Sequence, residues 1–177
     1  MTSPLVAESY DTPFGTLTVL VTLEDGVVRA SGFRPMRDTV AALPSRLQGR
    51  GWVEGELPAI RAAVEGWLGG DHDAITRVPV AQDGGPFFQE LWEALRTVPA
   101  GASVSYQELA AMAGRPRAMR AAGTACARNN IAPFVPCHRV VKSGGELGSY
   151  GYGGQAMKRA MLVMEGERTV DDARVTP

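Results

Sequence analysis

The residues best equipped for chemistry lie in the run Asn129-Asn-Ile-Ala-Pro-Phe-Val-Pro-Cys-His-Arg-Val-Val141. An apolar lead-in delivers Cys137 between Pro136 and His138, with Arg139 next and a β-prone Val140-Val141 behind it. The thiolate is the nucleophilic form of cysteine, and a neighbouring histidine and arginine favour it. Cys126 has no adjacent histidine and reads as a small buried hydrophobe. Neither cysteine has a partner at CxxC spacing, and His72 and His138 are the chain's two histidines. A disulfide framework and a Cys/His zinc cluster are therefore both ruled out, and no metal or other cofactor is expected. Cysteine-peptidase chemistry fits poorly. Side chains of adjacent residues diverge, so Cys137 and His138 form a direct pair only if a turn or a bridging water intervenes. The second candidate base, His72, lies in a different part of the chain.

The elements that must hold this segment show in the flanking pattern. Phe87, Phe88, Leu91, Trp92 and Leu95 recur at helical spacing until Pro99 stops the run. Ser105-Tyr106-Gln107-Glu108 has the form of a capping box, opening a helix through Leu109 and Met112 that ends at Gly114. After Arg115-Pro116 a second helical stretch spans about Arg117 to Arg128, so the two make a helix-turn-helix candidate. The second helix mixes small residues with arginines, which suits close backbone approach and phosphate contact. Gly148 to Gly154 is a glycine-rich loop without the residue order of a nucleotide phosphate loop. A last helix is expected with Met157, Ala160, Met161 and Met164 on its inner face, closing at Glu165-Gly166, and the tail from Thr169 is expected to fray.

The first third reads as strands: Thr16 to Leu23 and Val27 to Phe33 around the turn Glu24-Asp25-Gly26. Pro44 to Gly55 reads as a loop, Pro58 opens a helix with Ile60, Val64 and Trp67 inward, and Val78 to Val80 suggests a short strand. Asp83-Gly84-Gly85-Pro86 is the clearest linker, dividing the chain into domains of residues 1–85 and 86–177. A length of 177 residues with 45% hydrophobic and 21% charged composition suits one compact domain or two small ones.

Charge follows the same division. The net charge is −1, but residues 1–86 hold 7 Lys/Arg against 11 Asp/Glu and residues 87–168 hold 10 against 6. Between Leu109 and Gly145 there is no acid, while Arg115, Arg117, Arg120, Arg128, Arg139 and Lys142 supply a local basic patch. Such a patch can bind phosphates on a slightly acidic protein. No apolar run approaches the roughly 18 residues of a membrane helix, and the N-terminus lacks the basic and apolar regions of a signal peptide, so a cytoplasmic protein with no membrane partner is expected.

VPCHRVV, preceded by Asn129, RAAGTA and SYQELA, resembles the O6-alkylguanine-DNA alkyltransferases (methylated-DNA–protein-cysteine methyltransferases) from about Pro86 to Gly166. The resemblance implies an α/β fold: a small ribonuclease-H-like N-terminal domain, then a helical, winged-helix-like domain with a helix-turn-helix that binds DNA. It implies a monomer acting on double-stranded DNA containing alkylated bases, in single-turnover repair of O6-alkylguanine and by extension O4-alkylthymine. Cys137 would accept the alkyl group, His138 would activate it through a water, Glu165 would orient the histidine, Asn129 would tie the site's turn and Tyr106 would share a proton with the base. Base flipping is required, since a stacked base cannot reach a buried thiol. Arg120 would fill the vacated stack, with Ala118, Ala121, Gly123, Arg117 and Arg128 on the DNA side. Pro136, Val140, Tyr150, Gly151 and Tyr152 would form the substrate pocket. Asn130 and Ala132 stand where family members carry proline, and the loop at 150–154 is one residue longer than the shorter family form. Two alternatives remain at this point: a helix-turn-helix regulator, which would not need Cys137, and a lesion sensor of the same family, which would lack the acceptor cysteine.

Overall fold

The computed structural model describes residues 2–167, so the expected fraying of the tail from Thr169 lies outside the described residues. Contacts divide the chain into two units, one comprising the residues to Asp83 together with Asn130–Phe134, the other Gly84–Asn129 with the residues from Val135 onward.

The first unit is a four-stranded sheet with helices. Strands β1 (Leu5–Thr12) and β2 (Gly15–Thr22) form an antiparallel hairpin, and β3 (Val27–Gly32) pairs antiparallel with β2, with a register irregularity at Leu20/Val21. The expected β2–β3 hairpin is present. Strand β4 (Trp52–Glu54) pairs parallel with β1, giving the order β3-β2-β1-β4. β1 and β4 were not foreseen. In β1, Glu8, Ser9 and Asp11 interrupt the apolar pattern, and the Glu8 carboxylate is satisfied by the Tyr10 hydroxyl at 2.8 Å and the Leu57 amide at 2.7 Å. β4 has only three residues, all exposed, and the supposed loop over 44–55 also holds helix α2 (Ser45–Gln48). Helix α1 (Met36–Ala41) packs Met36 and Val40 onto a core of Leu5, Ala7, Leu20, Ala30, Leu43 and Leu47. Helix α3 (Pro58–Gly69) starts at Pro58 and buries Ile60, Val64 and Trp67 as the spacing predicts. The short strand expected at Val78–Val80 is a single bridge between Val80 and Val28.

Residues 130–134 complete this unit. The Ser31 amide donates to the Asn130 carbonyl (2.9 Å), and the Ser31 hydroxyl donates to the Ala132 carbonyl (2.8 Å). Ile131, Ala132 and Phe134 are fully buried. The apolar lead-in to Cys137 is thus core for the first unit, whereas a single cut at the linker assigns it to the second.

The second unit is mainly helical: α4 (Pro86–Leu95), β5 (Val104–Ser105), α5 (Tyr106–Met112), α6 (Met119–Ala127), a 3-10 turn at Cys137–Arg139, β6 (Val140–Val141) and α7 (Gly154–Met164). The capping box is formed on both sides: the Glu108 amide donates to Ser105 Oγ at 3.0 Å, and the Ser105 amide donates to Glu108 Oε1 at 3.1 Å. Gly114, at φ +86, ends the α5 segment, and α6 begins with Ala118 as its N-cap. Trp92 Nε1 donates to the Ala125 carbonyl at 3.0 Å, pinning α6 to α4. Helix α7 is rotated from the expected orientation. Its buried face is Lys158, Met161, Leu162 and Glu165, and Ala160 is exposed. No helix among the described residues is long and apolar enough to cross a membrane.

Candidate active site

Strands β5 and β6 form a two-residue parallel ladder, pairing Val104 with Val140 and Ser105 with Val141. Tyr106 leaves the end of β5 as the first residue of α5, and the Cys137–Arg139 turn feeds directly into β6. This ladder ties the two segments that carry the chemistry. Cys137 and Tyr106 both line one cavity of about 210 Å3, completed by Gly123 and Cys126 from α6 and by Ser149 to Tyr152 from the loop before α7. Cys137 is 5% exposed. The Asn129 side-chain Nδ2 donates to the Val135 carbonyl at 2.8 Å, closing the neck of the 130–134 excursion, and the side chain hydrogen-bonds the Cys137 thiol. The Tyr152 hydroxyl donates to the Asn129 carbonyl. Tyr150 and Tyr152 lie with their rings 5.6 Å apart and tilted by 50°.

The two residues that follow Cys137 in sequence both engage Glu165. His138 Nε2 lies 2.9 Å from Glu165 Oε1, and Arg139 donates from Nε to Oε1 at 3.0 Å and from a terminal nitrogen to Oε2 at 2.7 Å. A further Arg139 nitrogen donates to the Val98 carbonyl at 2.8 Å. All three side chains are fully buried. Burial alone would raise the Glu165 carboxyl, but the charges and hydrogen bonds of His138 and Arg139 outweigh it and hold the group far below the usual carboxylate range. Arg139 therefore does not activate the thiol, as its adjacency suggested, and it leaves the basic surface patch.

Burial pushes the Cys137 thiol up, opposed by the Asn129 hydrogen bond and by the charge of Lys158. Burial, with the two nearby thiols, lifts the Tyr106 phenol to about 12, which keeps it protonated at neutral pH. Gly148, at φ +72, lies so close that a Cβ there would come within 3.3 Å of the Tyr106 hydroxyl. That backbone conformation favours glycine, and a side chain there would press on the Tyr106 hydroxyl.

Beside the cavity is a wider groove of about 480 Å3, lined by Arg120 and Met119 of α6 and by Lys142, and sharing Tyr106, Gly123 and Ser149 with the first. A Cβ on Gly123 would meet nothing, so the fold itself does not demand a glycine there. Arg117 and Arg120 are exposed, Ala118 and Ala121 half-buried, and Arg128 is exposed with its guanidinium 5.8 Å from the Phe88 ring. Tyr150, Gly151 and Tyr152 line the cavity, whereas Pro136 and Val140 are buried outside its lining.

Residues 86–167 match the family model described as 6-O-methylguanine DNA methyltransferase, DNA binding domain. The methylated-DNA–protein-cysteine methyltransferase of Mus musculus is 39% identical over 155 residues, 80% of this chain and 71% of the relative. The Salmonella typhimurium protein of the same name is 36% identical over 166 residues, 92% of this chain and 96% of the relative. The chain belongs to the methylated-DNA–protein-cysteine methyltransferase family. Among solved structures it resembles Mycobacterium tuberculosis OGT in complex with DNA, with a TM-score of 0.71 and 31% identity over 94% of this chain and 99% of that one. The R37L variant of the M. tuberculosis O6-methylguanine methyltransferase gives a TM-score of 0.73 at 30% identity, over 93% and 94% of the two chains.

In this member of the methyltransferase family, four residues at the cavity escaped the reading of the sequence. Cys126, Ala127 and Ser149 line it, and Lys158 lies buried beside it. Lys158 carried a usable signal. It stands three, four and seven residues before Met161, Leu162 and Glu165, which is the spacing of one helix face. A lysine at that spacing looks like a surface residue until the packing of α7 is known.

Proposed function

We infer that this chain repairs DNA by moving an alkyl group from O6 of a damaged guanine, and by the same displacement from O4 of thymine, onto Cys137. The Sγ–C bond forms as the C–O6 bond breaks, and the electron pair leaves on the base. His138 takes the thiol proton through a bridging water, and Glu165 orients and charge-balances the histidine. Asn129 holds the turn and the sulfur. Tyr106 gives its proton to the base as negative charge develops there. The single observation that carries this reading is the meeting of Cys137 and Tyr106 in one cavity, with the buried His138–Glu165 pair attached to the same turn.

Access requires the damaged nucleotide to leave the stack. Helix α6 enters the minor groove over Ala118, Ala121 and Gly123, Arg120 occupies the vacated stack, and Arg117 and Arg128 hold phosphates. Tyr150, Gly151 and Tyr152 wall the pocket, with Pro136 and Val140 supporting Cys137 from behind. The first unit is a ribonuclease-H-like support and the second a winged-helix-like DNA-binding body, in a monomeric cytoplasmic protein. No cofactor enters this displacement.

A thioether has no carbonyl for water to attack and is not undone by thiol exchange, so each molecule reacts once. Incubation with a duplex containing O6-methylguanine should add one methyl group to the intact mass, mapped by peptide mass spectrometry to Cys137. Cys137→Ala should abolish the gain and Cys126→Ala should keep it. Steady turnover with unmodified protein recovered would overturn the acceptor mechanism, and binding of methylated DNA with no mass gain would favour a regulator.

A further inference from the structure

Among the described residues of the second unit, the large apolar side chains that stand well exposed are Met112, Met119 and Val163. Met112 closes α5 and Val163 lies near the end of α7, and neither lines the cavity or the groove. Met119 differs. It is 47% exposed, is the first residue of α6, and lines the groove beside Arg120. Positions i, i+4, i+7 and i+8 share one helix face, and from Met119 these are Gly123, Cys126 and Ala127. Cys126 and Ala127 line the cavity that holds Cys137, Met119 lines the groove, and Gly123 lines both. One face of α6 therefore runs from the open groove to the nucleophile, and Met119 is its outermost residue. Arg120 projects about 100° further round the helix, so the two side chains serve different places. The start of α6 is not built for helix stability: Ala118 gives no side-chain cap and the first turn has no acid. The groove's other lining includes Arg120, Lys142, Ser143 and Ser149, groups that suit phosphates. A thioether binds no phosphate. It packs on carbon surface, and an unbranched side chain adapts to the shape it meets.

We propose that Met119 is the apolar rest for the extruded nucleotide: its side chain packs on the deoxyribose of the damaged nucleotide as that nucleotide passes over Gly123 into the cavity. The proposal rests on the alkyl-transfer reading and deepens it, by naming the residue that holds the nucleotide out of the duplex. Arg120 fills the stack that is left, and Met119 covers carbon surface that extrusion exposes, which offsets part of the cost of unstacking. Methionine is among the apolar side chains that proteins set against unstacked steps in the minor groove. Met119 touches neither the sulfur nor the leaving oxygen, so it positions the substrate and takes no part in the bond exchange.

The test compares wild type, Met119→Ala, Met119→Leu and Met112→Ala in single-turnover methyl transfer from an O6-methylguanine duplex. Iodoacetamide labelling of Cys137, read by peptide mass spectrometry, reports on the site without DNA. Met119→Ala should slow duplex repair by about tenfold, the loss expected for removing two methylene-sized contacts. Its iodoacetamide labelling and thermal midpoint should match wild type. The fluorescence rise of a 2-aminopurine placed beside the lesion, which reports unstacking, should shrink in the same variant. The slope of its DNA affinity against salt should stay that of wild type, because no phosphate contact is lost. Met119→Leu should recover most of the rate, and Met112→Ala should behave as wild type throughout. Wild-type repair by Met119→Ala would overturn the proposal. So would equal slowing of repair and of iodoacetamide labelling, a reduced salt slope, or no rescue by leucine. Failure of wild type itself to gain a methyl group would sink the repair reading and this proposal with it, whereas normal repair by Met119→Ala sinks the proposal alone.

Discussion

At the scale of single residues, the site separates two tasks that the sequence places side by side. Cys137 faces the cavity, while His138 and Arg139 turn to Glu165. Glu165 is therefore the keystone of a buried charge set, and Glu165→Gln should cost about 3–5 kcal/mol, because Arg139 would be left buried without its counter-charge. The pH dependence follows from the lowered carboxyl. A group whose folded pKa lies below its unfolded value adds stability that is fully present above the unfolded value and is lost as pH falls through the folded one. The gap in thermal midpoint between wild type and Glu165→Gln should stay level from neutral pH down to about 4.3, the ordinary glutamate value, and narrow only in stronger acid. Thermal melts across that range check it, and a gap that closes near neutrality would show that Glu165 is not the ionised partner of Arg139.

At the scale of elements, the two-residue ladder of β5 and β6 has an effect out of proportion to its size. It joins the capped start of α5, which carries Tyr106, to the turn that carries Cys137. Helix α6 contributes by what it lacks. Gly123 lines both the cavity and the groove, and no atom of the protein fills the space a side chain there would take. Gly123→Ala should stabilise the protein by about 0.5–1 kcal/mol, through helix propensity. The same methyl group projects into the space a flipped nucleotide must cross, so repair of duplex DNA should slow while labelling of Cys137 by a small reagent changes little. Calorimetry and single-turnover repair of the two proteins would test the opposed signs. A loss of stability would mean that α6 has less room than the geometry shows.

For the whole molecule the decisive property is the uneven charge. Residues 130–134 carry no charge, so their return to the first unit leaves the acidic first part and basic second part intact. Burial of Arg139 removes one of the six cations counted between Leu109 and Gly145, and Arg115 and Arg128 lie over the rings of Phe87 and Phe88. With about three to five phosphates contacted, the logarithm of the DNA affinity should fall against the logarithm of salt concentration with a slope of about −3 to −5. A fluorescence anisotropy titration at several salt concentrations measures it. Affinity that ignores salt would exclude a phosphate-based surface despite the exposed arginines.

Reading along the chain determined those features whose cause is local. The capping box at Ser105 to Glu108, the Pro58 helix start and the β2–β3 hairpin follow from residues a few positions apart, and the structure has them all. The nucleophile was legible for the same reason, since Pro136-Cys137-His138-Arg139 is a contiguous motif. Strands β1 and β4 were not legible: one interrupts its apolar pattern with Glu8, a carboxylate satisfied in part from Leu57, and the other is three residues long and held by parallel pairing to a distant strand. Only tertiary structure decided which charge stands near the sulfur. Neighbouring side chains diverge along a backbone, so the 3-10 turn that presents Cys137 to the cavity joins His138 and Arg139 to Glu165. Lys158 is 21 positions further on, and it reaches the site because α7 buries the face of Met161 and Leu162, a rotation set by packing that no local spacing specifies.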